Sequence, residues 1–77
     1  MKETYYRATP SNNRWDEPEF NSMKKMKKYL LRHRRKHRRK KDYSRIWNLY
    51  KKDDGMWIRF NEVDLEHERD LQWLSQQ

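Results

Sequence analysis

The sequence predicts a small α+β domain built from a long basic helix, a β-hairpin and an acidic C-terminal helix within 77 residues. Three observations carry this. Apolar and imidazole side chains recur at helical spacing within a basic segment over 22–41. Two β-favouring segments flank Lys-Lys-Asp-Asp-Gly within 44–60. A second helical stripe, rich in carboxylates, runs over 62–75. The competing class is all-α, because Tyr43, Ile46, Trp47 and Tyr50 also fit i, i+3, i+4, i+7 spacing and could prolong the basic helix. The Asp-Asp-Gly turn chemistry favours the hairpin.

Residues 1–20 read as an N-terminal arm or edge strand. Over 2–9, Thr4, Tyr6 and Ala8 share one strand face and Tyr5 and Arg7 the other. Pro, Ser and Asn then mark irregular chain, in which Trp15 is expected to anchor the loop to the core. Asn21 or Ser22 suits the N-cap of the basic helix, with Glu17 and Glu19 placed to complement its positive end. Met23, Met26, Leu30, His33 and His37 follow at spacings of 3, 4, 3 and 4. The first half of that stripe is apolar and packs on the domain. Beyond His33 there is little to bury, so the C-terminal half is expected to project, fray or order on a ligand.

In the hairpin, Trp47 and Leu49 face one way and Ile46 and Tyr50 the other. Gly55 is expected to close a type I turn with a bulge. Asn61 suits the N-cap of the last helix, with Glu62 and Asp64 in its first turn. Val63, His67, Leu71 and Leu74 form its stripe. The core must be small, since a chain of this length buries only about 60% of its unfolded surface. Only eleven residues are Leu, Ile, Val or Phe, so the Trp and Tyr side chains, at ~150–250 Å² each, have to organise it.

Charge is distributed unevenly. The formal net charge is +8, yet residues 24–41 alone carry twelve Lys or Arg and no acid. The arm before them is net −1 and residues 42–77 are net −3, five basic against eight acidic. Within a helix, like charges three or four apart cost about 0.2–0.5 kcal/mol per pair, and nothing in the run offsets this. Such a run calls for a polyanion. The segment RHRRKHRRKK resembles arginine-rich recognition segments that bind RNA, and also nuclear localisation tracts. The scarcity of Gly and Ala beside abundant Lys, Asp, Asn, Tyr and Trp resembles small accessory proteins of large lytic bacteriophages.

The expected function is a non-enzymatic nucleic-acid-binding accessory protein, with RNA favoured over DNA. Lys24, Lys25, Lys27, Lys28, Arg32, Arg34, Arg35, Lys36, Arg38, Arg39, Lys40 and Lys41 are the expected phosphate contacts. No base-reading motif accompanies them, so sequence-tolerant binding follows. The alternative is a small inhibitor or adaptor, of the kind a phage directs at an RNase toxin or another host nucleic-acid enzyme. It grips a protein together with its nucleic acid through Trp47, Trp57, Glu62 and Glu66. Trp47 and Trp57 side by side on a hairpin face could also stack bases, although a chain this poor in Leu and Val needs its Trp in the core. A further expectation is that the acidic helix masks the basic run.

Other chemistries find little footing. There is no Cys, which removes disulfides and thiolate metal sites. His33 and His37 are i, i+4, but no carboxylate or Cys completes a metal site and the flanking cations repel one. No nucleophile–base pair or Gly-rich phosphate loop is present. No cofactor and no membrane contact are expected, and the N-terminus lacks the apolar core of a signal peptide. A cytoplasmic location is expected, in the host cytoplasm for a viral chain and nuclear for a eukaryotic one.

Overall fold

The hairpin forms the centre of the fold in the computed structural model, which describes residues 5–76. Its strands are β3, Ile46–Asp53, and β4, Met56–Asp64. They are joined by Asp54 and Gly55, whose φ values are +53° and +79°. Two positive φ values in a two-residue loop make a type I′ turn, in place of the expected type I turn with a bulge. The bulge lies further along, where the register shifts between Leu49 and Tyr50 and leaves Phe60 as the extra residue of β4.

The N-terminal strand β1, Tyr6–Pro10, pairs antiparallel with β3 from Tyr6↔Lys51 to Pro10↔Trp47. Its other side takes a two-residue strand β2, Glu19–Phe20, so the order is β2-β1-β3-β4. The expected edge strand is therefore an inner one, and its residues 2–4 lie outside the described residues. Glu19 does not flank a helix start. It accepts a hydrogen bond from Arg7 at 3.2 Å across the β1–β2 pair.

Helix α1 spans Met23–His37. Ser22 is its N-cap, its Oγ accepting from the Lys25 N–H at 3.2 Å. The expected helix to residue 41 stops four residues early. Residues 38–42 form turns, in which the Lys40 N–H donates to the His37 carbonyl and the Tyr43 N–H to the Lys40 carbonyl. Two tertiary bonds hold the chain in this reversal. Trp15 Nε1 donates to the Asp42 carbonyl at 2.7 Å, and the Ser44 N–H donates to His33 Nε2 at 3.1 Å. Trp15 is thus the loop anchor the sequence suggests.

The expected acidic helix over 62–75 begins only at Glu68, and α2 is Glu68–Ser75. Val63 and Leu65 are fully buried with period 2, so residues 62–64 continue β4. The cap is His67, whose Nδ1 accepts from the Arg69 N–H at 3.2 Å. Asn61 serves instead inside the strand, its Oδ1 accepting from the Glu62 N–H.

Both helices lie on one face of the sheet. Ala8, Trp47, Leu49 and Val63 from the strands close on Met26 and Leu30 of α1, Leu74 of α2 and Leu65. Tyr29 and His33 meet the Trp47 ring edge-on at 5.9 and 5.1 Å. The opposite sheet face carries no helix among the described residues.

Candidate nucleic-acid interface

Helix α1 divides the basic run into three stripes, each at helical spacing. Met26, Leu30, His33 and His37 turn to the sheet and to Trp15. Lys27, Leu31, Arg34 and Arg38 turn towards α2 and the turn before it. Lys24, Lys28, Arg32 and Arg35, with Lys25 and Lys36 beside them, remain on the outer face.

The second stripe is committed to the protein's own groups. Lys27 Nζ lies 4.3 Å from the Trp73 ring centroid and donates to the Gln76 carbonyl at 3.3 Å. Arg34 Nε lies 2.7 Å from the Leu65 carbonyl and 2.9 Å from Glu66 Oε2. Arg38 Nε lies 2.7 Å from Glu66 Oε1. Glu66 also accepts from the Tyr43 hydroxyl at 3.3 Å. Burial raises the Glu66 pKa, but the hydrogen bonds from Arg38 and Arg34 outweigh it and hold the carboxyl below its ordinary value. On Tyr43, burial first and the Glu66 carboxylate second push the phenol up to about 12.

The masking expected of the acidic helix shrinks to this one carboxylate. Glu66 precedes α2. Among the described residues, Glu68 and Asp70 of α2 form no ion pair with the basic run, Glu62 pairs with Arg59 of β4, and Asp64 pairs with Arg45 at 2.7 Å. The Arg45 hydrogen bond holds the Asp64 carboxyl below its usual range. Neutralising Glu66 as Glu66→Gln is expected to lower stability by about 1–2 kcal/mol, the range for charge-assisted bonds discounted for partial exposure. The same change frees Arg34 and Arg38, so RNA affinity should rise modestly. Chemical denaturation and a binding isotherm on one sample check both.

The C-terminal half of α1 does not project. The His33 and His37 rings stack 4.9 Å apart, and Trp15 meets them edge-on at 5.0 and 4.5 Å. Tyr43 stacks on His33 from the other side at 5.6 Å. His33 is 4% exposed. Burial, and then the neighbouring His37, pull its pKa down, with Asp42 acting in the opposite sense. Only a neutral imidazole can accept from the Ser44 N–H, so that bond needs the neutral form as well. His33 is thus a core acceptor; it neither carries phosphate-facing charge nor offers Nε2 to a metal.

A histidine whose folded pKa is depressed binds fewer protons than its unfolded counterpart as pH falls below about 6.5. The stability it supports is complete above that value and is lost as pH falls towards the folded-state pKa. Thermal unfolding followed from pH 7.5 to 5 should show the midpoint falling below about 6.5. The His33→Gln variant, which keeps an acceptor for the Ser44 N–H, should flatten that dependence. An unchanged slope in the variant would assign the effect to other groups.

The third stripe stands apart. Lys24, Lys25, Lys28, Arg32, Arg35 and Lys36 are exposed along α1, and Arg39, Lys40 and Lys41 extend the exposed ridge through the following turn. Among the described residues none of these nine side chains meets a carboxylate within ion-pair distance. Arg34, Arg35, Lys36, Arg38, Arg39 and Lys40 with Leu31 line a shallow cleft at the end of the ridge. At about 1.5 Å per residue, the helical part of the ridge is roughly 20 Å long.

The residues expected to grip a partner scatter. Trp47 is fully buried, its Nε1 donating to the Ser44 carbonyl at 2.8 Å, and cannot touch a ligand. Trp57 lies on the open sheet face with the Arg7 guanidinium 4.4 Å and Lys52 Nζ 5.8 Å from its ring centroid. Glu62 is exposed on β4, and Glu66 is tied to Arg34 and Arg38. The gathering of Arg7, Lys52 and Trp57 is absent from the sequence reading. Its signal is the pairing register, which places Arg7 opposite Tyr50, and Lys52 opposite Trp57, on one face. No helix among the described residues is long and apolar enough to cross a membrane. No protein-family model, curated protein or solved structure matches the chain.

Proposed function

We propose that this chain is a non-enzymatic nucleic-acid-binding accessory protein that holds a phosphate backbone along the outer face of α1, with RNA ahead of DNA. The observation that carries it is the division of the basic run. Where a cation is needed for the fold, the chain supplies it with a carboxylate, a carbonyl or an aromatic face. Where it is not, nine cations stand together with no counter-ion among the described residues. Self-repulsion of that size is retained against helix stability, and a bound polyanion relieves it.

The cations form a convex ridge, and among the described residues no short helix precedes α1 to dock it as a recognition helix. Backbone contact without base readout fits this shape, so affinity should vary little with sequence and fall steeply with salt. Arg32, Arg35 and Arg39 lie in the second half of the ridge, and their planar forks suit the phosphates of looped or folded RNA. The protein-directed alternative has less support, because Trp47 is internal and Glu66 is occupied. Fluorescence anisotropy with labelled single-stranded RNA, an RNA hairpin and duplex DNA across a salt series tests the proposal. Binding that persists unchanged at high salt, or that is absent at low salt, would contradict it.

A further inference from the structure

The two edges of the sheet are treated differently. The β2 edge is two residues long, too short to template another strand. The β4 edge is nine residues long, and only its C-terminal half is protected. The Leu65 N–H donates to the Arg45 carbonyl just before β3, so Leu65, Val63 and Asn61 direct their N–H groups towards β3, and Glu62 and Asp64 direct theirs outward. Both outward groups are capped from within. Asn61 Oδ1 accepts from the Glu62 N–H and Asp70 Oδ2 from the Asp64 N–H, each at 2.9 Å.

Past the bulge the alternation reverses. Asp53↔Met56 closes a two-residue turn, which makes it a hydrogen-bonded pair, so Met56 and Ile58 face β3 and Trp57 and Arg59 point their backbone groups outward. No side chain among the described residues caps either of these. On the helix side of the same segment, Met56, Ile58 and Phe60 are 68%, 46% and 37% exposed, beyond the reach of α1 and α2. An uncapped edge and a largely exposed apolar face, on which only Phe60 meets another ring, that of Tyr6, edge-on at 6.1 Å among the described residues, coincide over five residues.

We infer that a second copy of this chain pairs antiparallel with residues 56–60 of β4 about a two-fold axis at Ile58. The register follows from the backbone. Outward groups belong to Trp57 and Arg59, and a two-fold at Ile58 sets Trp57 opposite the Arg59 of the second copy, twice, as hydrogen-bonded pairs. Ile58 then meets its own counterpart, and each Met56 meets a Phe60, which covers the exposed apolar face from both copies. On the other sheet face each guanidinium of Arg59 reaches an indole across the junction. A two-fold at Arg59 would instead set like charges directly opposite each other. Pairing stops where Asn61 caps the edge. Because the axis is perpendicular to the sheet, both α1 helices lie on the same side of a continuous eight-stranded sheet. The pairing itself requires no nucleic acid.

The chain has no cysteine, so one introduced thiol reports on the axis directly. Residues facing each other in a non-hydrogen-bonded pair have Cα atoms about 4.5 Å apart, within disulfide reach, whereas two copies of residue 56 in this register are separated by roughly 13 Å. The purified Ile58→Cys and Met56→Cys variants, nuclease-treated and at high salt, are oxidised with glutathione disulfide and followed by non-reducing gel. The Ile58→Cys variant should cross-link many times faster than the Met56→Cys variant. Sedimentation equilibrium of the unmodified chain should show a mass rising with concentration from 10.0 kDa towards twice that. The Ile58→Lys variant, which sets two ammonium groups at the axis, should stay at 10.0 kDa with an unchanged circular dichroism spectrum. Equal cross-linking rates, or a monomer mass at every concentration, would overturn the inference even where RNA binding holds.

Discussion

Lys28, Arg32, Arg35 and Arg39 changed together to Glu should lose RNA binding while the melting transition stays in place. All four are exposed, and none has an acidic partner among the described residues. Removing four phosphate contacts lowers the slope of log K against log salt by about 3 on a single strand, at roughly 0.7 per contact. Reversal adds repulsion to that loss, so affinity at low salt should fall by well over 100-fold, a change of about 2.7 kcal/mol or more. The fold should not suffer. The Arg32→Glu change puts a carboxylate four residues before Lys36, the favourable orientation, and each such pair contributes about 0.2–0.5 kcal/mol to the helix. The choice of residues matters. Arg34 and Arg38 changed to Glu would gather carboxylates around Glu66, and loss of binding would then report unfolding. Anisotropy beside a thermal melt on the four-residue variant separates the two effects, and retained binding would refute the interface.

Trp47→Ala should remove a large share of the chain's folding stability. Trp47 is fully buried between the sheet and α1, touches Tyr29 and His33 edge-on, and donates to the Ser44 carbonyl. Truncating a buried Trp costs about 3–5 kcal/mol. At roughly 0.05–0.15 kcal/mol per residue, a chain of this length holds only about 4–12 kcal/mol in total. The midpoint should therefore fall by more than about 12 °C, at ~4–8 °C per kcal/mol for so small a domain. Trp47→Phe retains most of the apolar volume and loses the indole N–H, leaving the Ser44 carbonyl without that donor. Its expected cost is about 1–3 kcal/mol, the penalty for one unpaired buried group with some lost packing. Differential scanning calorimetry orders the three proteins. A Trp47→Ala midpoint within a few degrees of the parent would mean that the core does not depend on this side chain.

The α+β class, the basic helix and the hairpin were legible because each rests on a local pattern. Helical spacing of Met26, Leu30 and His33, turn chemistry at Asp54 and Gly55, and β-branched or aromatic runs on either side act within a few residues. That much of the basic run stays exposed was legible too, since charged side chains outside the apolar stripe have little reason to be buried. Element ends were less legible. Residues 62–64 carry helix-start chemistry, yet Val63 and Leu65 gain more by alternating into the core beside Trp47 and Leu49 than by opening a helix. Residues 38–41 continue the helical composition, yet Trp15 and Ser44 bond the chain into a reversal.

From its composition alone, this chain is bound to be strongly basic, free of thiol chemistry and dependent on aromatic side chains for its core. Those properties are sums over residues and need no coordinates. Which cations are spoken for, by contrast, is a question of distance. Glu66 lies 28 residues from Arg38 in sequence and 2.7 Å from it in space. Only the packing of the strand end against α1 withdraws Arg34 and Arg38 from the run and makes His33 a core acceptor, and only the strand pairing leaves the outer edge of β4 uncapped over residues 56–60.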